Sequence, residues 1–308
     1  MTDPSRDPAR GQGRDPDGGR RHGPGKRRRI AVAGAVAAVV AAVLATGVWL
    51  QFGERADLDT RYRAVPAGAD ADRVDVTATV VRVDAAAREL VLRVLVTPRG
   101  ALAEDGGLAP AVDLALQTSP QVRGDLNYRA HTRIATTDLA VALSGGSVTD
   151  YPFDDYRTSI EVSAQADGRP VPVDMTLGNS DALFSLDVDA QAEDGAALFD
   201  VGVDRSTTVL VFAVFMMAAM WALAVSVAIA TRILVAGRRG LVWPALGWMA
   251  ATLFALAAFR NTAPGNPPLG SLLDYLAFLW AEAVIAACLT TAVLVGAAVE
   301  NRPAAEAA

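Results

Sequence analysis

Four stretches of the chain are almost free of charge: Ile30–Leu50, Thr207–Ala230, Leu241–Phe259 and Tyr275–Val299. A helix of about 20 apolar residues crosses the ~30 Å hydrocarbon core of a bilayer. In lipid the backbone must bond to itself, so the four runs predict four transmembrane helices. Between the first and second run the pattern changes to period two. Val74, Val76, Ala78 and Val80 alternate with Asp75, Thr77 and Thr79. Leu90, Leu92 and Val94 repeat the alternation, as do Val112, Leu114 and Leu116, and then Leu139, Val141 and Leu143. Ile160 and Val162 lead into Asp167-Gly168, a hairpin signal; Val171, Val173, Met175 and Leu177 follow, with Leu183–Val188 a further candidate. About seven short strands with Gly, Pro and Asp between them predict an antiparallel β-sandwich, and Gly100–Pro110 reads as a loop. The expected fold is a mixed membrane protein, an extracytoplasmic antiparallel β-sandwich plus four transmembrane α-helices.

Charge orients these elements. Residues 1–29 hold nine Arg or Lys against four Asp and end in Lys26-Arg27-Arg28-Arg29 beside the first span; Arg232, Arg238 and Arg239 follow the second. Positive charge flanks the cytoplasmic side, so both segments are expected inside, with one crossing out and one back between them. The expected order is a disordered basic cytoplasmic tail at 1–29, a first helix at 30–50 and an outer β domain at 53–206. Helices at 207–230 and 241–259 follow, then an outer Pro/Gly loop at 260–273, a helix at 275–299 and a cytoplasmic tail at 300–308. The rival for the first span is a cleaved signal peptide with Ala45-Thr46-Gly47 at the cut, but its apolar run exceeds the 7–15 residues usual there. The tail is expected to touch anionic lipid weakly and to bind no nucleic acid.

The net charge of −6 hides an asymmetry: residues 53–206 carry 26 Asp or Glu against 14 Arg and no Lys. This favours solubility, and a solvated face is expected ahead of cation attraction. Asp187-x-Asp189 and Glu193-Asp194 are the nearest approach to a calcium site, without the spacing of an EF-hand loop. The only cysteine, Cys288, lies in the fourth span as a small apolar residue, so the outer domain has no disulfide. Of two histidines, His22 is in the tail and His131 in the outer domain, too few for a triad or a zinc site beside other ligands. No Gly-x-Ser-x-Gly, Ser-x-x-Lys or phosphate loop occurs. No catalytic residue, metal or cofactor is expected.

Two constellations stand out. Tyr151-Pro152-Phe153-Asp154-Asp155-Tyr156 brackets a proline with aromatics and acids. It reads as an aromatic-anchored turn at the base of the sandwich, or as a coupling turn that touches the helices, with Tyr151, Pro152, Phe153, Asp154 and Tyr156 its candidates. The second runs from Arg260 through Pro264, Gly265, Pro267 and Pro268 to Asp274, Trp280 and Glu282. Ser271-x-x-Asp274 reads as a capping box. Asp274, Phe278 and Glu282 are spaced to share one helix face. A carboxylate in a span needs a partner or water, and the expectation is an Arg260–Glu282 pair across the third and fourth helices.

An anchor, a Cys-free β domain with Tyr-Pro-Phe-Asp and three further spans resembles the domain of unknown function 4436 (DUF4436) family of actinobacterial integral membrane proteins. Tyr151–Tyr156 and Phe259–Glu282 carry the resemblance, over about residues 30–300. It implies an integral plasma-membrane protein and supplies no activity. Tyr-Pro-Phe-Asp is also similar to the Pro-containing loop of pentameric ligand-gated channels, where a β-sandwich precedes membrane helices, but the extra anchor and three later spans depart from that order. The expected function is a non-enzymatic anchored binding or assembly module. Its partners would be the bilayer and a protein or cell-envelope component, with a homo-oligomer open. The alternative is a channel or transporter subunit with a β-sandwich sensor domain.

Overall fold

The computed structural model describes residues 60–66, 71–124 and 126–306, with a few isolated positions nearer the N-terminus. The tail 1–29 and the span 30–50 lie outside the described residues, isolated positions apart. Nine principal strands follow in chain order: β1 (Arg61–Ala64), β2 (Val74–Asp84), β3 (Glu89–Pro98), β4 (Leu114–Thr118), β5 (Thr137–Ala142), β6 (Asp155–Ala166), β7 (Val173–Asn179), β8 (Phe184–Glu193) and β9 (Ala196–Arg205). One sheet runs β1-β7-β2-β3-β5 and ends on the short strand Val122–Arg123. The other runs β8-β9-β6-β4 and ends on Leu126–Tyr128. Period two does what it predicts: Val74, Val76, Ala78 and Val80 of one sheet and Ile160, Val162, Phe199 and Val203 of the other fill one core.

The sandwich is not wholly antiparallel. β7 runs parallel to β2, with Val173 opposite Val74 through Asn179 opposite Val80. The hairpin explains it. Asp167 and Gly168 take positive φ, 44° and 75°, as a tight two-residue turn requires. The returning chain then pairs with β6 for only Arg169–Val171 before it leaves the second sheet for the first. It enters beside Val74, at the same end as β2, and so runs the same way. Two smaller expectations also change. Val112 lies before β4, and Gly100–Pro110 holds two 3₁₀ turns and the small ladder Ala103–Glu104 with Ala109–Pro110.

Three helices follow the sheets: α1 (Thr207–Ala236), α2 (Trp243–Arg260) and α3 (Leu279–Glu306), the last entered through a π-turn over Asp274–Phe278. Among the described residues, two helices are long and apolar enough to cross a membrane by length and composition, Thr207–Ala236 and Asp274–Asn301. α2 is not: its 18 residues reach ~27 Å at 1.5 Å each and end on Arg260. The expected boundaries move with these helices. α1 continues past 230 to Ala236, and the last helix runs beyond 299 to Glu306 without a separate tail at 300. The helices share a second core around Ala213, Met216, Met220, Met249 and Ala281, and it takes in one residue of the sheet domain, Tyr151. Only Ser206 separates β9 from α1, and its hydroxyl accepts from Val209 N–H as an N-cap.

Candidate coupling site between the sheets and the helices

The end of the sandwich that faces the helices is built from the start of β6, the end of β9 and the turn before β6. In that turn the Tyr151–Pro152 bond is cis. Tyr151, Pro152, Asp154 and Tyr156 are buried, whereas Phe153 is 54% exposed. Tyr151 packs into the helix core and Tyr156 into the sheet core, so the two tyrosines hold one turn against both bodies. The turn closes the base of the sandwich and touches the helices.

Asp154 is the centre of this turn. Its carboxylate accepts from Arg205 Nε at 3.0 Å, from Arg205 Nη2 at 2.8 Å and from the Tyr156 hydroxyl at 3.0 Å. The two side chains are 0% and 3% exposed. The Arg205 guanidinium also lies over the Phe184 ring at 4.3 Å and near the Tyr151 ring at 5.1 Å. A bidentate pair with aromatic faces is the setting in which arginine cannot be exchanged for lysine. Arg205 was absent from the sequence candidates. The available signal was its place: a lone cation two residues before a long apolar run.

The second pair corrects an expectation. Arg260 does not reach Glu282; it binds Asp274, Nε to Oδ1 at 2.7 Å and Nη2 to Oδ2 at 2.8 Å. Its remaining donors go to the carbonyls of Pro267 and Pro268, at 3.0 and 2.8 Å, and Gly270 N–H donates to Asp274 at 2.7 Å. The proline-rich loop thus folds back so that its carbonyls, which a ladder would otherwise need, satisfy a buried guanidinium. The π-turn decides which carboxylate is used. A wider turn at Asp274–Phe278 puts Asp274 on the buried side with Ala277 and Ala281, and leaves Glu282 beside that stripe. Glu282 is half-buried and has no ion-pair partner among the described residues. Trp221 Nε1 donates to the Leu276 carbonyl inside the same turn at 3.0 Å. The capping box forms only by half: Asp274 accepts from the backbone, while the buried Ser271 hydroxyl has no partner.

The two pairs are neighbours. Gly265, at φ 77°, passes so close to Arg205 that a Cβ there would sit 2.6 Å from Nη1. Pro264 is half-buried beside it, and Trp280 is 59% exposed on the outside of the helices. Tyr151 sits where both cations act on it. Its phenol is pushed up to about 12, chiefly by desolvation; Arg205 and Arg260 oppose the rise and Asp154 adds to it. Burial and Asp154 raise the Tyr156 phenol as well.

The Tyr151 hydroxyl is buried without a partner. Tyr151→Phe should therefore leave the melting temperature at neutral pH unchanged or raised, whereas Tyr156→Phe, which loses a bond to Asp154, should lower it. Alkali adds a signed expectation. The folded phenol of Tyr151 lies above the ~10 of an exposed tyrosine. Its contribution is whole below pH ~10 and is lost as pH rises through about 12. Thermal melts across that window should fall less steeply for Tyr151→Phe than for the natural chain.

Asp187 and Asp189 line up along β8 beside Asp200 and Asp204 of β9, with Gly202 opposite Asp187. Among the described residues no three His, Cys, Asp or Glu side chains converge as a metal site. Cys288 is partly buried in the helix core.

The model of the domain of unknown function DUF4436 matches residues 64–205, which begin in β1 and end with β9. The sheet domain is a DUF4436 domain. The DUF4436 match is narrower than the 30–300 expected, because a second model, domain of unknown function DUF8686, matches residues 205–299 and takes the helices. Tyr151–Tyr156 lies in the DUF4436 part, and Phe259–Glu282 lies in the other. The two meet at Arg205, the residue whose guanidinium joins the DUF4436 turn to the end of β9, just before α1. None of the curated proteins compared with the chain matches it.

Proposed function

We propose that the chain is a multi-pass plasma-membrane protein with four spans, cytoplasmic termini and the DUF4436 domain outside, working as a non-enzymatic anchored binding or assembly module. The observation that carries this reading is the outward apolar surface of the helices. Only 28% and 17% of the most apolar stretches of α1 and the last helix are buried, and Phe215, Ile229, Phe254 and Leu294 point away from the bundle. In water a surface of that size associates; a bilayer covers it. Exposed Trp243 and Trp248 at one end of α2, and Tyr275 and Trp280 at the start of the last helix, suit the two interfacial belts. Arg232, Arg238 and Arg239 favour a cytoplasmic end for α1. α2 completes the bundle as a short span with Arg260 neutralised.

The two buried pairs support the module reading further. Arg205–Asp154 braces the turn from which Tyr151 enters the helix core, and Arg260–Asp274 braces the helices' own loop beside it, so a partner held outside, a protein or an envelope component, is held by a rigid body. A homo-oligomer fits the same use. Glu282 favours a second reading, a channel or transporter subunit, since an unpaired carboxylate in a span suits a wetted path. The purified full-length chain in liposomes separates them. The module reading expects no ion flux from a folded monomer or dimer. A ring-sized oligomer whose flux disappears in Glu282→Gln would replace it with the channel. Recovery of the chain in the soluble fraction after alkaline extraction of expressing cells would remove both.

A further inference from the structure

We infer that the DUF4436 domain rests directly on the outer leaflet, with Phe153 inserted among the lipids. The inference rests on the membrane reading above and adds a lipid contact made by the sheet domain itself. Three observations place it. First, β9 ends at Arg205 and α1 begins at Thr207, so no spacer lifts the sandwich off its helix. Second, the turn that carries Phe153 is pinned at that level: Asp154 binds Arg205, and Tyr151 reaches into the core beside Val209 and Ala213 of the first turns of α1. Third, Phe153 is 54% exposed although Tyr151, Pro152 and Asp154 around it are buried. The same turns of α1 expose Phe212 and Phe215, apolar rings that suit the same lipid environment.

A second prong comes from another element. Leu269 is 79% exposed, directly after Pro268, whose carbonyl holds Arg260, and before Gly270, whose N–H is held by Asp274. The ion pair fixes the loop from inside and turns this leucine outward. A phenylalanine and a leucine held rigidly at the level of an apolar helix surface are chemically matched to acyl chains and the headgroup boundary, where aromatic rings concentrate.

The contact is tested by spin labels on single cysteines in a Cys288→Ala background, with the full-length chain in phospholipid vesicles. Collision with oxygen, which favours lipid, is compared with collision with a water-soluble nickel chelate. Phe254→Cys on α2 is the in-membrane reference and Leu108→Cys, at the far end of the sandwich, the aqueous one. Phe153→Cys is expected to give an oxygen-to-nickel ratio close to that of Phe254→Cys and several-fold above that of Leu108→Cys. Label at 153 that behaves as at 108, while 254 reads as lipid, overturns the contact and leaves the membrane reading intact. Label at 254 that is itself aqueous overturns the membrane reading and the contact with it. If Phe153→Cys does not fold, Leu269→Cys takes its place with the same two outcomes.

Discussion

Replacing Arg260 with methionine should cost about 3–5 kcal/mol of stability, the usual loss when one partner of a buried pair is removed and the other charge stays behind. The side chains of Arg260 and Asp274 are 6% and 2% exposed, so solvent screening does little to soften this. The stranded groups are specific: the Asp274 carboxylate and the Pro267 and Pro268 carbonyls lose their donors together. Thermal unfolding in detergent measures the loss. The double variant Arg260→Met/Asp274→Leu, with no charge left unpaired, should regain a large part of it. It should not regain all, because the proline carbonyls and Gly270 N–H remain without partners. Full recovery would mean that those backbone bonds contribute nothing. A single variant as stable as the natural chain would mean that Asp274 finds another donor.

Arg205→Met is expected to be as damaging, at about 3–5 kcal/mol, and to change the way the chain melts. It strands Asp154 and removes the guanidinium from the Phe184 and Tyr151 rings. Both residues belong to the sheet domain, and the pair braces the turn from which Tyr151 enters the helix core, so its loss should loosen that contact and let sheets and helices unfold apart. The chain is suited to showing this. All five tryptophans, Trp49, Trp221, Trp243, Trp248 and Trp280, lie outside residues 64–205. Tryptophan fluorescence therefore follows the helical side and far-ultraviolet circular dichroism the whole. The two curves should coincide in the natural chain and separate in the variant. Arg205→Lys should fall between, since an ammonium cannot repeat the two-point grip on Asp154. Coincident curves in Arg205→Met would show that the apolar contact of Tyr151 holds the bodies together without the charge.

How much of this was legible follows the range of the interaction. The alternation in Val74–Val80 and Ile160–Val162, the Asp167-Gly168 turn and the apolar runs of α1 and the last helix depend on neighbours along the chain, and they appear where the residues predict them. Tyr151–Tyr156 was legible as a place, because aromatics, a proline and acids so close together have few ordinary uses. Its link to Arg205 was not, since a single arginine ending an unremarkable strand has no local pattern.

The sequence by itself determined the elements: period-two strands that must bury one face, long apolar helices, and two polar clusters at their ends. Tertiary structure alone decided the pairings. β7 lies parallel to β2 because the chain enters the first sheet from one end and not the other. Arg260 takes Asp274 and not Glu282 because a π-turn rotates one carboxylate inward and the proline loop folds its carbonyls over the same guanidinium. Asp154 meets Arg205, far along the chain, because β6 and β9 pair antiparallel with Asp155 opposite Asp204, which sets the two residues side by side just before α1. Spacing along a helix or strand sets which face a side chain shares with its neighbours, whereas the choice between two acids for one arginine is made by burial and by the backbone groups that close around it.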